Sequence, residues 1–131
     1  MIVVDASAVL EVLLNTAGAD RVHDRLFTPG KTLQAPHLID LEVAQVVRRY
    51  VRGGEVDSER ASEAPSDFAA LQVSRYPHDF LLPRIWQLRN NATAYDAAYL
   101  ILAEVLDCPL VTCDQALAGV PGHTAQVQVI A

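Results

Sequence analysis

Short apolar runs alternate with helix-length segments along the whole chain, and an acid stands at four of the junctions. Ile2-Val3-Val4 closes on Asp5, and Leu110-Val111-Thr112-Cys113 closes on Asp114. Asp96 opens the largely apolar stretch Ala97 to Leu106, and Glu42 lies in the first turns of a helix predicted from near His37. This alternation predicts an α/β fold with a mostly parallel sheet. In such a sheet the strand ends and the following helix starts converge on one rim, where ligands bind. Four acids gathered there repel one another. Two full charges about 5 Å apart cost roughly 3 kcal/mol at an effective dielectric of ~20. The cluster must hold protons or a cation, and hard oxygen donors in that number suit Mg²⁺ or Mn²⁺.

The segments follow in order. Ile2 to Asp5 opens with a fully apolar run, the pattern of a central parallel strand. Ser7 to Leu14 reads as a helix, Asn15 to Gly18 as a turn, and Ala19 to Phe27 as a second helix that Pro29-Gly30 breaks. Lys31 to Ala35 reads as a second strand. Pro36 is placed to open a long helix over about residues 37–52, and Gly53-Gly54 ends it. Asp57 or Ser58 can cap the next helix, which runs to about Ala70 with Pro65 as a weak point. Gln72 to Arg75 reads as a third strand. A helix starts at Pro77-His78-Asp79 and runs through Leu88, and Asn90-Asn91 form a loop. Thr93 to Asp107 is the most apolar helix, and Pro109 follows it. Leu110 to Cys113 reads as a fourth strand, Gln115 to Leu117 as a short helical turn, and Val127 to Ile130 as a fifth strand.

The 131 residues fit a single domain, 1–131, with one core. No apolar run approaches the ~20 residues of a membrane helix. Strand residues begin at Ile2, leaving no room for a signal peptide. Cys108 and Cys113 do not form a C-x-x-C pair and have no His nearby, so they read as reduced structural thiols of a cytoplasmic protein. The net charge of −6 argues against broad affinity for nucleic acid, which needs a basic footprint. It does not exclude a nuclease, because the four acids are part of that charge and bound divalent ions offset it. The bases are nine Arg and one Lys, Lys31. Base composition of the genome explains the skew, and Arg forks also suit phosphate.

Asp5, Asp96 and Asp114 each have an alternative reading as helix caps, where Asp is favoured. Thr93-Ala94-Tyr95-Asp96 has capping-box spacing. Glu42 is harder to explain that way. Ile39, Val43, Val46, Val47 and Tyr50 form the apolar face of its helix, and Glu42 sits at the edge of that face, in line with Gln45 and Arg49. A carboxylate at a core margin needs a partner. Asp40 reads as first-turn charge complementing the helix dipole. The helix behind Asp96 is apolar around its whole circumference, so its leading acid is held near the interior. Arg48, Arg49 and Arg52 read as the solvated face of the Glu42 helix or as phosphate contacts. Trp86 and Tyr76 read as core or dimer contacts more readily than as base-stacking groups. His23, His37, His78 and His123 read as surface or loop residues.

These residues resemble a known family. The chain looks like a PIN domain, specifically a VapC-type toxin of type II toxin–antitoxin systems. The resemblance rests on Ile-Val-Val-Asp-Ala-Ser (2–7), Leu-Ile-Asp-Leu-Glu-Val (38–43), Asn-Ala-Thr-Ala-Tyr-Asp-Ala-Ala-Tyr (91–99) and Leu-Val-Thr-Cys-Asp-Gln-Ala-Leu (110–117). It implies a three-layer fold with a five-stranded sheet flanked by helices, and endoribonuclease activity dependent on Mg²⁺ or Mn²⁺. It further implies a homodimer and inhibition by a small VapB-type antitoxin. Asp5, Glu42, Asp96 and Asp114 match the family's acidic quartet. Thr93, Thr112 and Ser7 match supporting hydroxyl positions. Gln115, Ala116 and Ala118 follow the last Asp where many relatives carry a further acid or amide, which leaves one or two metal positions open. Such a site lowers the pKa of bound water and polarises the scissile phosphate, leaving a 5′-phosphate and a 3′-hydroxyl.

Other classes fit less well. A phosphotransfer receiver wants paired early acids and a late Lys, and no Lys follows residue 31. A haloacid-dehalogenase-like phosphatase needs Asp-x-Asp after the first strand, where this chain has Asp5-Ala6-Ser7. A third alternative is a non-catalytic binding module that keeps the fold and has lost activity; the intact quartet argues against it and does not exclude it.

Overall fold

The computed structural model describes residues 1–130. Five strands form one sheet: β1 (Ile2–Val4), β2 (Leu33–Pro36), β3 (Ser74–Tyr76), β4 (Leu110–Thr112) and β5 (Val127–Val129). Their spatial order is β3-β2-β1-β4-β5, and every neighbouring pair is parallel. The order reverses direction at β1. Chain from β1 proceeds outward through β2 and β3, then returns to β4 and proceeds the other way. The crevice between the C-terminal ends of β1 and β4 is therefore the switch point where a parallel sheet accepts ligands.

The helices flank this sheet. They are α1 (Ala6–Leu13), α2 (Ala19–Leu26), α3 (Ile39–Arg52), α4 (Ser58–Ala61), α5 (Ala64–Ala70), α6 (Leu82–Gln87), α7 (Ala94–Leu106) and α8 (Gln115–Ala118). Helix α7 packs on β1, β2 and β4, and α1 packs on β4 and against α2, α3 and α5. The all-round apolarity of α7 has the predicted result: the seven residues Ala97 to Ala103 are all buried. Burying Leu100, Ile101 and Leu102 contributes about 1.5–3 kcal/mol each, which anchors α7 firmly against the strands. Asp107 ends the helix in the left-handed region at φ 50°. Gly54, at φ 77°, lets the chain turn away from α3, as Gly53-Gly54 predicts.

Some boundaries differ from the sequence reading. Pro36 does not open α3. It ends β2, beyond Gln34, where the paired register with β1 stops. His37 and Leu38 turn the chain, and α3 begins at Ile39. β2 and β3 both lie one to two residues later than predicted. The segment 57–70 is two helices rather than one, broken at Ser62-Glu63. Pro65 is no weak point, because it stands in the first turn of α5, where its missing N–H has no helical partner to lose. The helix expected from Pro77 begins instead as a 3₁₀ turn over Asp79–Leu81 before α6. No helix among the described residues is long and apolar enough to cross a membrane.

Candidate active site

Asp5 follows β1 and caps α1, with Oδ1 accepting from the Ala8 N–H at 3.1 Å. The same oxygen accepts from the Ser7 hydroxyl at 2.7 Å, and Oδ2 accepts from Thr112 Oγ1 at 2.5 Å. Thr112 is fully buried at the end of β4, and its hydroxyl also accepts from the Asp114 N–H at 3.0 Å. Ser7 Oγ accepts from the Cys113 N–H at 2.9 Å. Two hydroxyls thus bridge the switch-point crevice and fix Asp5 and the start of the Asp114 turn relative to each other.

Glu42 and Asp96 approach from α3 and α7. Tyr99 donates its hydroxyl to Glu42 Oε1 at 2.5 Å. Asp96 and Tyr99 are three residues apart on α7 and so share a face. Thr93 caps α7 by accepting from the Asp96 N–H at 3.1 Å. Thr93 therefore holds the backbone of Asp96, and its hydroxyl also lowers the pKa of the Asp96 carboxylate. The capping alternative holds in part for Asp5 and Asp114, whose Oδ1 atoms accept from the Ala8 and Ala116 N–H groups. For Asp96 one half of the capping box forms: Thr93 is the cap, and among the described residues the Asp96 carboxylate makes no return bond to the Thr93 N–H.

A carboxylate offers about four lone-pair directions. Asp5 uses three, Glu42 one and Asp114 one on hydrogen bonds, and Asp96 has only the Thr93 hydroxyl beside its carboxylate. The unused directions belong to acids that lie in one another's fields. Burial raises the pKa of Asp5, against its hydrogen bonds from Thr112, Ser7 and Ala8, and Asp114 raises it further. Burial raises Glu42 too. Tyr99 lowers it, and Asp5 and Asp96 add to the rise. Asp96 is raised by burial and then by Asp114, with Thr93 opposing. No ion pair among the described residues involves any of the four. An array of hard carboxylates without a basic partner fits a divalent cation such as Mg²⁺ or Mn²⁺ and suits no soft metal. No three His, Cys, Asp or Glu side chains among the described residues already stand in a ligating cluster.

The sequence reading needs correction at several residues. Asp114 is exposed, and Asp96 and Glu42 are half-buried, so only Asp5 is interior. Asp40 is not simply first-turn charge: its carboxylate takes a two-pronged bond from Arg75, at 3.0 Å from Nε and 2.8 Å from Nη2. Trp86 is no core residue; it is 67% exposed, with the Arg89 guanidinium over its face. Tyr76 is half-buried against the core. Both cysteines are free, and burial pushes Cys113 up to about 11, which keeps it a thiol. Tyr99 is the site residue that sequence reasoning missed. A hydroxyl in a helix buried on all sides needs a partner, and its position three residues after Asp96 pointed toward the acids. The largest concavity, about 500 Å³ between α3 and α5, lies away from the quartet and is lined by Val43, Val47, Ala64 and Phe68.

Residues 2–122 match the PIN domain family. Three Mycobacterium tuberculosis proteins are similar along nearly their full length. Ribonuclease VapC9 is 42% identical over 130 residues, covering 99% of this chain and 98% of that protein. Ribonuclease VapC1 is 40% identical over 129 residues, 98% and 96% of the two chains. Ribonuclease VapC12 is 38% identical over 131 residues, all of both. The crystal structure of PAE2754 from Pyrobaculum aerophilum superposes with a TM-score of 0.65 at 27% identity, covering 96% of this chain and 82% of the other. That of M. tuberculosis VapC20, a sarcin–ricin loop cleaving toxin, superposes at 0.72 and shares the fold at 12% identity, covering 95% and 97%. The chain belongs to the PIN-domain family and, within it, to the VapC ribonucleases.

Proposed function

We propose that this protein is a divalent-metal-dependent endoribonuclease and the toxin of a type II toxin–antitoxin pair. The observation that carries the reading is the convergence of four carboxylates with no basic partner at the β1–β4 switch point, in a chain about 40% identical to VapC ribonucleases. Asp5, Glu42, Asp96 and Asp114 would hold Mg²⁺, with Mn²⁺ a substitute. When bound, the ion supplies an acidified water and a polarised phosphoryl oxygen.

The chain's own groups set the stage for that chemistry. Thr112, Ser7 and the Ala8 N–H hold Asp5 in one rotamer, so the innermost ligand is pre-organised. Tyr99 orients Glu42 from the buried side. Asp96 keeps most of its carboxylate free, with only Thr93 beside it, and Asp114 stands at the exposed rim. Asp5, Glu42 and Asp96 retain protons more readily than ordinary carboxylic acids, so these three would release protons when a cation is held there. Water attack opposite the leaving 3′-oxygen leaves a 5′-phosphate and a 3′-hydroxyl.

A homodimer in the cytoplasm, neutralised by a small VapB-type antitoxin, completes the reading. The exposed Phe80, Leu82 and Trp86 around α6 support a surface covered by protein. An antitoxin Arg or Lys placed at the acids would pair with them and displace the metal. The test is direct. Purified protein should cleave a structured RNA with Mg²⁺ or Mn²⁺ and stop in EDTA, and its expression should arrest growth unless the partner is co-expressed. Undiminished cleavage in EDTA would overturn the metal-dependent reading. Growth unaffected by the wild type and by Asp5→Ala alike would overturn the toxin reading.

A further inference from the structure

Four acids repel a polyanion, so a strand cut beside them needs cations and stacking surfaces close by. Helix α3 supplies a cation. Glu42, Gln45 and Arg49 follow one another at three- and four-residue spacing, which puts them on one stripe. Glu42 and Arg49 are seven residues apart, roughly 10 Å along the axis. The stripe lines a concavity of about 270 Å³ together with Leu38, Leu41, Val46 and Tyr95 of α7. Tyr95 is 66% exposed and directly precedes Asp96. Arg49 has no carboxylate within salt-bridge distance among the described residues. It also lines a second concavity with Ser7 and Cys113. Arg49 thus borders the hollow that Glu42 lines and the one that Ser7 and Cys113 line. Its neighbour Arg48 lines the α3–α5 groove instead.

We propose that the concavity of Tyr95, Gln45 and Arg49 is a nucleotide subsite for the residue of RNA adjoining the scissile phosphate. Tyr95 stacks on the base, Arg49 contacts the phosphate, and the Gln45 amide offers a donor and an acceptor to the base edge. The volume lies just below the roughly 300 Å³ at which small-molecule pockets begin, room for one nucleotide and no folded partner. The inference rests on the ribonuclease reading above. It makes Tyr95 and Gln45 determinants of which nucleotide is accepted next to the cut, and Arg49 a non-selective anchor.

The experiment measures binding of a fluorescein-labelled, randomised 12-nucleotide RNA to the Asp96→Asn protein in Mg²⁺, with cleavage by the parent followed in parallel. Tyr95→Ala should weaken binding about tenfold with no change in salt slope, and Tyr95→Phe should restore it. Arg49→Ala should weaken binding and make the plot of log affinity against log salt shallower by about 0.7, the loss of one phosphate contact to a single strand. Arg48→Ala should match the parent within twofold. Equal effects of Arg48→Ala and Arg49→Ala, or unaltered binding by Tyr95→Ala, would overturn the subsite. So would a Tyr95→Ala protein whose only change is dissociation into monomers or loss of the antitoxin, because the pocket would then be a protein interface. Cleavage by the parent without these effects defeats the subsite alone. Absence of metal-dependent cleavage by the parent defeats the ribonuclease reading itself.

Discussion

Tyr99→Phe isolates one hydrogen bond at the site. The substitution keeps a ring that is 98% covered and removes only the hydroxyl that donates to Glu42 at 2.5 Å. Hydrogen bonds to charged groups are worth about 1.5–3 kcal/mol. Glu42 is half-buried, so water replaces part of the lost bond, and a value at or just below the foot of that range, about 1–1.5 kcal/mol, is expected. For a chain of this length that lowers Tm by about 3–6 °C. The bond lowers the pKa of Glu42, so its loss lets that pKa rise further and hands a cation a less well oriented ligand. Supporting bonds of this kind are worth about 10–100-fold in metal affinity or activity. The Mg²⁺ concentration for half-maximal cleavage should therefore rise about tenfold, with most of the rate recovered at saturating Mg²⁺. A double-mutant cycle of Tyr99→Phe with Glu42→Gln, read by thermal or urea unfolding, should show an interaction of about 1 kcal/mol. Additivity within about 0.3 kcal/mol, together with an unchanged Mg²⁺ dependence, would refute the argument.

Asp96→Asn should abolish cleavage while the metal-free Tm holds or rises, since it removes a charge from a repelling cluster and leaves the Thr93 cap intact; retained cleavage with lost stability would contradict this, as measured by gel assay and calorimetry. Asp5, Glu42 and Asp96 all have folded pKa values raised above their unfolded ones, so the folded state binds their protons more tightly. Metal-free stability should accordingly rise as pH is lowered from neutrality toward the ordinary carboxylate range and fall as it is raised again, and saturating Mg²⁺ should flatten or reverse that trend in urea melts. Leu100→Ala, at a fully buried position of α7, should cost about 2–5 kcal/mol of unfolding free energy, and its refutation would be a change under 1 kcal/mol.

The acids were legible in the sequence because their positions follow from backbone geometry. Asp5 and Asp114 stand just past strands whose apolar runs announce them, and a parallel sheet brings such points together. The buried α7 was equally legible, since no amphipathic helix has seven consecutive apolar residues around its circumference. What escaped were partnerships between distant segments. Tyr99 finds Glu42 across 57 positions and Arg75 finds Asp40 across 35; the place of Tyr99 three residues after Asp96 points toward the acids without naming Glu42, and Arg75 carries no local signal. The exposure of Trp86 was equally hidden, because a large aromatic on a short helix reads as core unless the packing of its neighbours is known. Pro65 was misplaced for a different reason: the same residue that breaks a helix interior also favours a first turn, and only the break at Ser62-Glu63 decides between them.

The hydroxyl bridge from Thr112 to Asp5 joins residues 107 positions apart. During synthesis the amino-terminal part emerges first, and Asp5, Glu42 and Asp96 are all made before β4. Until β4 pairs with β1, Asp5 lacks the Thr112 bond, and Asp114 is not yet in place. A chain stalled or clipped ahead of residue 110 therefore carries three of the four acids and no assembled centre. On the proposed reading, the topology delays assembly of the centre until β4 has paired with β1.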